Sequence, residues 1–173
     1  MRSNDRSFER AMALAALSGL KIALGPAMLA NARGWPGREN WLMAAMGEMF
    51  LDKLGVFPPR YRPSLLIPHS LMGAWVAHES LREDGEDDPW AAVAGGLVAA
   101  SVAVAAPVAR MTIHKLIGVP DSILGLAEDY LALSYASDVM EVPMDQLTSA
   151  AREVVDDVRR RARPTFESMG LPV

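Results

Sequence analysis

Cysteine is absent from this chain of 173 residues, which excludes disulfides and thiolate metal sites. Histidine is scarce, and His69, His78 and His114 are too scattered for a zinc motif. The net charge of −4 gives no signature of polyanion binding, so we expect no nucleic-acid partner. The chain also lacks a Gly-rich phosphate loop, a nucleophile elbow and an HExxH motif. We therefore expect a protein without enzymatic activity, cofactor or bound metal.

Long apolar runs are few, and the most pronounced is PWAAVAGGLVAASVAVAAPVA, Pro89 to Ala109. Its part from Ala91 to Ala109 carries no charge, amide or aromatic group. As a helix rising about 1.5 Å per residue, this part spans roughly 28 Å, close to the hydrocarbon thickness of a bilayer. Acids precede the run and bases follow it, which is typical of a membrane-crossing helix with its basic end in the cytoplasm. The alternative is a buried helix of a soluble bundle.

The remaining apolar residues are mainly Ala, Leu, Val and Met, which favour an all-α fold. We predict a small polytopic membrane bundle with three long helices, two short helices and a C-terminal amphipathic helix. The long helices are Ser7–Ala32 with a kink at Gly25-Pro26, then Ser64–Arg82 and the run from Pro89. The short helices are Trp41–Leu54 and one with Asp121 or Ser122 as its N-cap, and Pro143 opens the last helix. Residues 1–142 form the membrane domain and residues 143–173 a cytoplasmic or interfacial helix and tail.

Two topologies compete for the apolar helices. If all five cross the membrane, the Lys and Arg residues of the loops divide equally between its two sides. If the two short helices dip in and return, most of these residues lie inside, as the positive-inside rule favours. The loops at 33–40, 53–63 and 110–120 are then inside, and the N-terminus and the loop at 82–88 are outside. We expect a multi-pass protein of the bacterial inner membrane.

An internal repeat is suggested by residues 11–54 and 91–135. Each unit has a long helix with a proline, a basic loop and then a short helix that carries acids. Pro26 precedes Glu48 at nearly the same spacing as Pro107 precedes Glu128. In small transporters, such repeats meet around an axis of pseudo-symmetry. Chance similarity between Ala-rich segments is the alternative.

Three segments resemble a bacterial membrane-protein family known as domain of unknown function 4126. They are GEMFLDKLGVFPPR from Gly47, PHSLMGAWVA from Pro68 and GVPDSILGLAEDYLAL from Gly118. The resemblance covers residues 12–137 and implies a small polytopic membrane protein, without implying a reaction. His69 departs from the family pattern, which has an arginine there, so this position is titratable instead of permanently charged.

Ionisable residues inside the apolar segments are candidates for one buried polar cluster, because such groups in a membrane face one another or a wet cavity. The candidate residues are Lys21, Glu48, Asp52, Lys53, Arg62, His69, Arg110, Asp121, Glu128 and Asp129. They predict either a transporter-like or channel-like path for a proton, small ion or polar solute, or a structural network of ion pairs. A soluble or membrane-associated assembly protein is the further alternative. The expected partners are the lipid bilayer and a second copy of the chain, most simply in a dimer.

Overall fold

A computed structural model describes residues 3–53 and 62–168, and these residues form helices and no strand. The helices are α1 (Ser3–Leu20), α2 (Leu24–Arg33), α3 (Arg38–Lys53), α4 (Pro63–Glu83), α5 (Pro89–Ile117), α6 (Asp121–Met140) and α7 (Met144–Ser168). The predicted all-α class is confirmed. The proline-rich turn expected after α3 falls at 54–61, outside the described residues.

The predicted continuous helix Ser7–Ala32 is wrong, because the chain leaves helical geometry at Lys21–Ala23. Pro26 has no N–H to donate to the carbonyl of Ile22, so a continuous helix would lack a hydrogen bond there. The break therefore comes before Gly25-Pro26 instead of being a kink at that pair. A Cβ on Gly25 would lie 2.4 Å from the carbonyl oxygen of Leu14, so α2 packs tightly along α1.

The helices α1 and α2 form a hairpin. An arginine near each of its open ends binds the same carboxylate, that of Asp84. Arg10 in α1 donates to Asp84 Oδ2 over 2.8 Å, and Arg33 at the end of α2 donates to Asp84 Oδ1. Asp84 follows α4, so the start of α1, the end of α2 and the turn before α5 lie together. We call this region the Asp84 end. Both predicted topologies placed the 33–40 loop and the N-terminus on opposite sides of the membrane. This placement is wrong, because α2 runs back along α1 and Arg33 reaches the same carboxylate as Arg10.

Small residues let α4, α5 and α1 approach one another closely. A Cβ on Gly73 would lie 2.3 Å from Ala99 Cβ, and one on Gly95 would lie 2.4 Å from Ala77 Cβ. A Cβ on Gly19 in α1 would lie 2.5 Å from the carbonyl oxygen of Ala99. Close backbone approach at Gly and Ala is a common way of packing helices whose outer surfaces are apolar.

The start of α7 belongs to the same hydrophobic core as the helices before it. Leu147 is buried in a cluster with Leu24 and Met28 of α2, Leu42 of α3 and Ala136 of α6. The apolar positions at the start of this amphipathic helix thus face the bundle, as their spacing predicts. Residues 143 onward are therefore anchored to the preceding part where α7 begins.

Only α5 among the described helices is long and apolar enough, by length and composition, to cross a membrane. Its most apolar 18-residue stretch is only 22% buried inside the structure. Large side chains such as Val93, Leu97, Val104 and Val108 are exposed on it. The interpretation of this run as the buried helix of a soluble bundle therefore does not fit the monomer, since only a minority of the stretch is buried.

The helix α5 passes through Pro107 without interruption, whereas the chain breaks before Pro26. The two proposed repeat units therefore differ at their prolines. The helices α3 and α6 of the two units touch where α3 ends, because Lys53 pairs with Asp129. The two acid-bearing helices thus meet next to the break between α1 and α2, where Lys21 contacts both.

A candidate charged site at the helix break

Lys21 occupies the break between α1 and α2 and is only 1% exposed. Its Nζ lies 2.6 Å from Asp52 Oδ2 in α3 and 3.3 Å from Asp129 Oδ1 in α6. A solvent-facing lysine, as on a soluble helix, is excluded by this burial. Because a buried ammonium group is costly unless it is paired, the two carboxylates are what allow it to lie here.

Arg110, near the end of α5, supplies the second cation. Its Nε lies 2.9 Å from Asp121 Oδ1, at the start of α6. Its Nη1 lies 3.5 Å from Glu128 Oε2 and 3.6 Å from Asp52 Oδ2. One guanidinium group therefore joins α5 to both acid-bearing helices, a role suited to its planar set of five donors.

Lys53, the last residue of α3, supplies the third cation and pairs with Asp129 Oδ2. Asp129 is 8% exposed, so its two oxygens face Lys53 and Lys21 in a nearly dry environment. A Cβ on Gly125, one turn earlier, would lie 3.2 Å from both Lys53 Nζ and Arg110 Nη1. Glycine at this position leaves room for both cations above α6.

Glu48 lies beside this network and satisfies the backbone at the break. Its Oε1 accepts from Ile22 N over 2.8 Å, and its Oε2 accepts from Ala23 N over 3.0 Å. These N–H groups precede the first turn of α2, where a helix has unsatisfied donors and a partial positive charge. Glu48 therefore acts as the cap of α2, although it is 25 residues away from Ala23 in the sequence.

We call the resulting network the charged site. It consists of Lys21, Asp52, Lys53, Arg110, Asp121, Glu128 and Asp129, with Glu48 at its edge. Cations and carboxylates alternate along it from Lys53 through Asp129, Lys21 and Asp52 to Arg110.

A cavity of about 420 Å³ adjoins the charged site, and we call it the α3 cavity. One face of α3 forms its wall, closed by the break between α1 and α2 and by the first turns of α4. Its described lining residues are Ile22, Ala23, Ala44, Gly47, Glu48, Leu51, Asp52, Leu65 and His69. The two carboxylates and the imidazole lie on walls that are otherwise aliphatic.

Two of the ten predicted site residues lie outside the charged site and its edge. His69 is buried and its Nδ1 lies 2.7 Å from the carbonyl oxygen of Leu65, so it belongs to the cavity wall. Including Arg62 in the cluster is wrong, because it is exposed at the start of α4 and pairs with no described carboxylate. Pro63 begins α4 directly after it, which leaves the arginine outside the bundle.

Sequence reasoning missed the residues that shape the site without carrying charge. Gly47 has open space in front of its Cα, and Gly125 leaves room for two cations. It also missed the contacts of Arg10 and Arg33 with Asp84, since these join residues 74 and 51 positions apart. Isolated glycines and charges at helix ends give no sequence signal for such contacts.

Among the residues that the structure describes, no group of three or more acids and histidines could hold a metal ion. No protein-family model matches the chain, and comparisons with curated proteins and with solved structures find no match either.

Proposed function

We propose that the protein is a membrane-embedded carrier or channel that moves a proton, small ion or small polar solute through the charged site. The observation that carries this proposal is the buried Lys21, which is held between Asp52 and Asp129 at an interrupted helix. Transporters use interrupted helices near mid-membrane to bring backbone and charged groups to a solute. Ionisable groups inside a membrane bundle are costly and commonly serve such paths.

The alternating order of charges supports this role. Lys21 faces Asp52 of α3 and Asp129 of α6. If either carboxylate loses its charge, Lys21 is attracted more strongly to the helix that carries the other one. A proton arriving at Asp52 or Asp129 would favour the pair that remains charged. The resulting movement of α3 would change the α3 cavity, because α3 forms one wall of it and the start of α4 another.

The proposed location is the bacterial inner membrane, crossed more than once, as the resemblance to the family named above implies. Exposed apolar side chains on α5 support it. So does the placement of tryptophan: Trp35, Trp41 and Trp75 pack together, with ring centroids 6.1 and 5.8 Å apart, near the Asp84 end. Trp90 lies in the first turn of α5 at the same end. Tryptophan is enriched where a membrane meets water.

The test is pH-driven proton or solute flux in proteoliposomes that contain the full chain. Replacing Glu128 by glutamine, or Lys21 by glutamine, should abolish flux above that of empty liposomes. Glu79→Gln is the matched control, because Glu79 pairs with Arg82 away from the charged site. Unchanged flux in both site variants would overturn the proposal.

A second candidate function is structural, in which the charged site only fastens the helices and the chain assembles with copies of itself. The exposed apolar side chains on α5 and α6, among them Leu97, Leu126 and Leu131, favour it. Flux should then be absent from the natural chain. The variants Glu128→Gln and Lys21→Gln should lower stability, and the natural chain should form a discrete dimer in detergent.

A further inference from the structure

We infer that the α3 cavity binds an organic cation with an apolar body, such as a quaternary ammonium compound. This assignment rests on the proposed function, since it names the class of solute for the same region. The cavity of about 420 Å³ is within the range of pockets that enclose small organic molecules. A single proton or a bare inorganic ion would leave most of this volume unfilled.

The sign of the ligand follows from the wall. Glu48 and Asp52 are one turn apart on the same face of α3, and both line the cavity. The remaining described lining residues, apart from His69, have aliphatic side chains or are glycine. Asp52 is paired with Lys21 and Arg110, but the charged site with Glu48 holds five carboxylates and three cations, so a cation is favoured over an anion. The attraction is stronger next to apolar walls than in water.

The kind of cation follows from the hydrogen bonds already present. Glu48 accepts from the backbone N–H groups of Ile22 and Ala23, and Asp52 accepts from Lys21. A hydrated metal ion needs several free oxygen ligands, which these carboxylates do not offer together. A quaternary ammonium group makes no hydrogen bonds, so it can approach the carboxylates without displacing their partners.

The opening of the α3 cavity is lined by apolar side chains, which suits a ligand with a large apolar part. Leu51 lines the cavity and is 36% exposed, so the cavity opens on the outer surface of α3. Phe50 and Met43, on the same helix, are also exposed. A cation with an apolar body partitions into such a surface, whereas a strongly hydrated one stays in bulk water.

Gly47 allows a steric test that leaves the charges in place. It lines the cavity, and a Cβ placed on it meets no atom of the described residues within 4 Å. Gly47→Leu therefore fills the cavity without a clash at Cβ, and leucine favours helix more than glycine does. Gly47→Ala is the matched control, because its single methyl group leaves most of the volume open.

The experiment compares binding of phenyltrimethylammonium and its neutral isostere tert-butylbenzene to the full chain in nanodiscs, with empty nanodiscs subtracted. We expect the cation to bind about tenfold more tightly than the isostere, a difference that Glu48→Gln removes. Gly47→Leu should abolish specific binding, and Gly47→Ala should retain it. Equal binding of both compounds, or binding unaffected by Gly47→Leu, overturns the assignment. Proton flux that persists without cation binding would leave the proposed function standing; binding without any flux would overturn that function alone.

Discussion

Lys21 Nζ and Asp52 Oδ2 lie 2.6 Å apart, although 31 residues separate them in the sequence. The lysine stands where α1 gives way to α2, and the aspartate stands one residue before the end of α3. This pair therefore joins the break between α1 and α2 to α3. The same helix α3 also carries Glu48, which accepts hydrogen bonds from the backbone at the break. The interruption and the charged site are one structural feature, since each supplies the groups that stabilise the other.

Removing the central cation should destabilise the fold. Breaking a buried ion pair from one side costs about 3–5 kcal/mol, because a carboxylate is left in a dry environment. Asp52 and Asp129 each keep another cation, so for Lys21→Met we expect about 3 kcal/mol, at the lower end. Chemical unfolding in detergent, followed by circular dichroism, measures the change. Arg82→Gln, which alters an exposed ion pair, is the control and should leave stability nearly unchanged.

A second variant separates lost pairing from lost packing. In Lys21→Met with Asp129→Asn, one of the carboxylates facing the removed cation becomes neutral. If unpaired charge is the main cost, this double variant should be more stable than Lys21→Met alone. A double variant that is less stable by the sum of the two single effects would contradict this explanation.

Glu48 should be required for the start of α2. Because it accepts from both Ile22 N and Ala23 N, Glu48→Ala leaves two backbone donors without this partner. Loss of a helix cap costs about 0.5–2 kcal/mol, and we expect the upper part of this range since the cap is charged. Hydrogen exchange at the amides of Ile22 and Ala23 should accelerate. Glu39→Ala, at an exposed position in the first turn of α3, should leave exchange at those amides unchanged.

Two glycine substitutions should have opposite effects. In Gly73→Ala the new methyl group would lie 2.3 Å from Ala99 Cβ and 2.8 Å from the carbonyl oxygen of Gly95, so α4 and α5 must separate. Overpacking of this kind typically costs about 1–3 kcal/mol. In Gly47→Ala the new methyl group meets no atom of the described residues within 4 Å, and the substitution should stabilise α3 by about 0.5–1 kcal/mol. Thermal unfolding of the two variants checks the contrast, and equal effects would show that α4 and α5 are not in the described contact.

The sequence predicted helix positions well where local signals decide them. The expected helix Ser64–Arg82 is observed as Pro63–Glu83. The expected N-cap at Asp121 or Ser122 is wrong by one residue or two, because Pro120 is the N-cap and Asp121 is the first residue of α6. Prolines mark both starts, and a proline acts on the backbone over only a few residues. The break at Lys21–Ala23 could not be located in this way. Its N–H groups are satisfied by Glu48, which is distant in the sequence.

The same reasoning explains the mixed result for the charged residues. Seven of the ten candidate residues form ion pairs with one another, and charges in apolar helices generally need such partners. Their pairing depends on how α3 and α6 pack, and this information is tertiary. Arg62 has the same charge as Arg110, but it precedes a helix-starting proline and faces outward. Charge alone did not distinguish the two arginines.

The helical hairpin α1–α2 makes a prediction about membrane topology. The absence of native cysteine lets single cysteines be labelled without interference. Arg38 begins α3 next to the Asp84 end, and Asp87 lies in the turn before α5, whereas Lys115 lies near the far end of α5. If α5 crosses the membrane, cysteines at 38 and 87 should react with an impermeant maleimide from one side and a cysteine at 115 from the other. Because the basic end of a crossing helix stays in the cytoplasm, the side shared by 38 and 87 should be the outer one.

Intact right-side-out vesicles should therefore label the variants Arg38→Cys and Asp87→Cys, and Lys115→Cys should react only after permeabilisation. All three positions are exposed, so differences in labelling report the membrane and not burial within the bundle. Labelling of 38 and 87 from opposite sides would contradict the hairpin, since Arg33 and Asp84 would then be separated by the bilayer. Labelling of all three from one side would show that α5 does not cross. In that case its exposed apolar face must be covered by another protein surface instead of lipid.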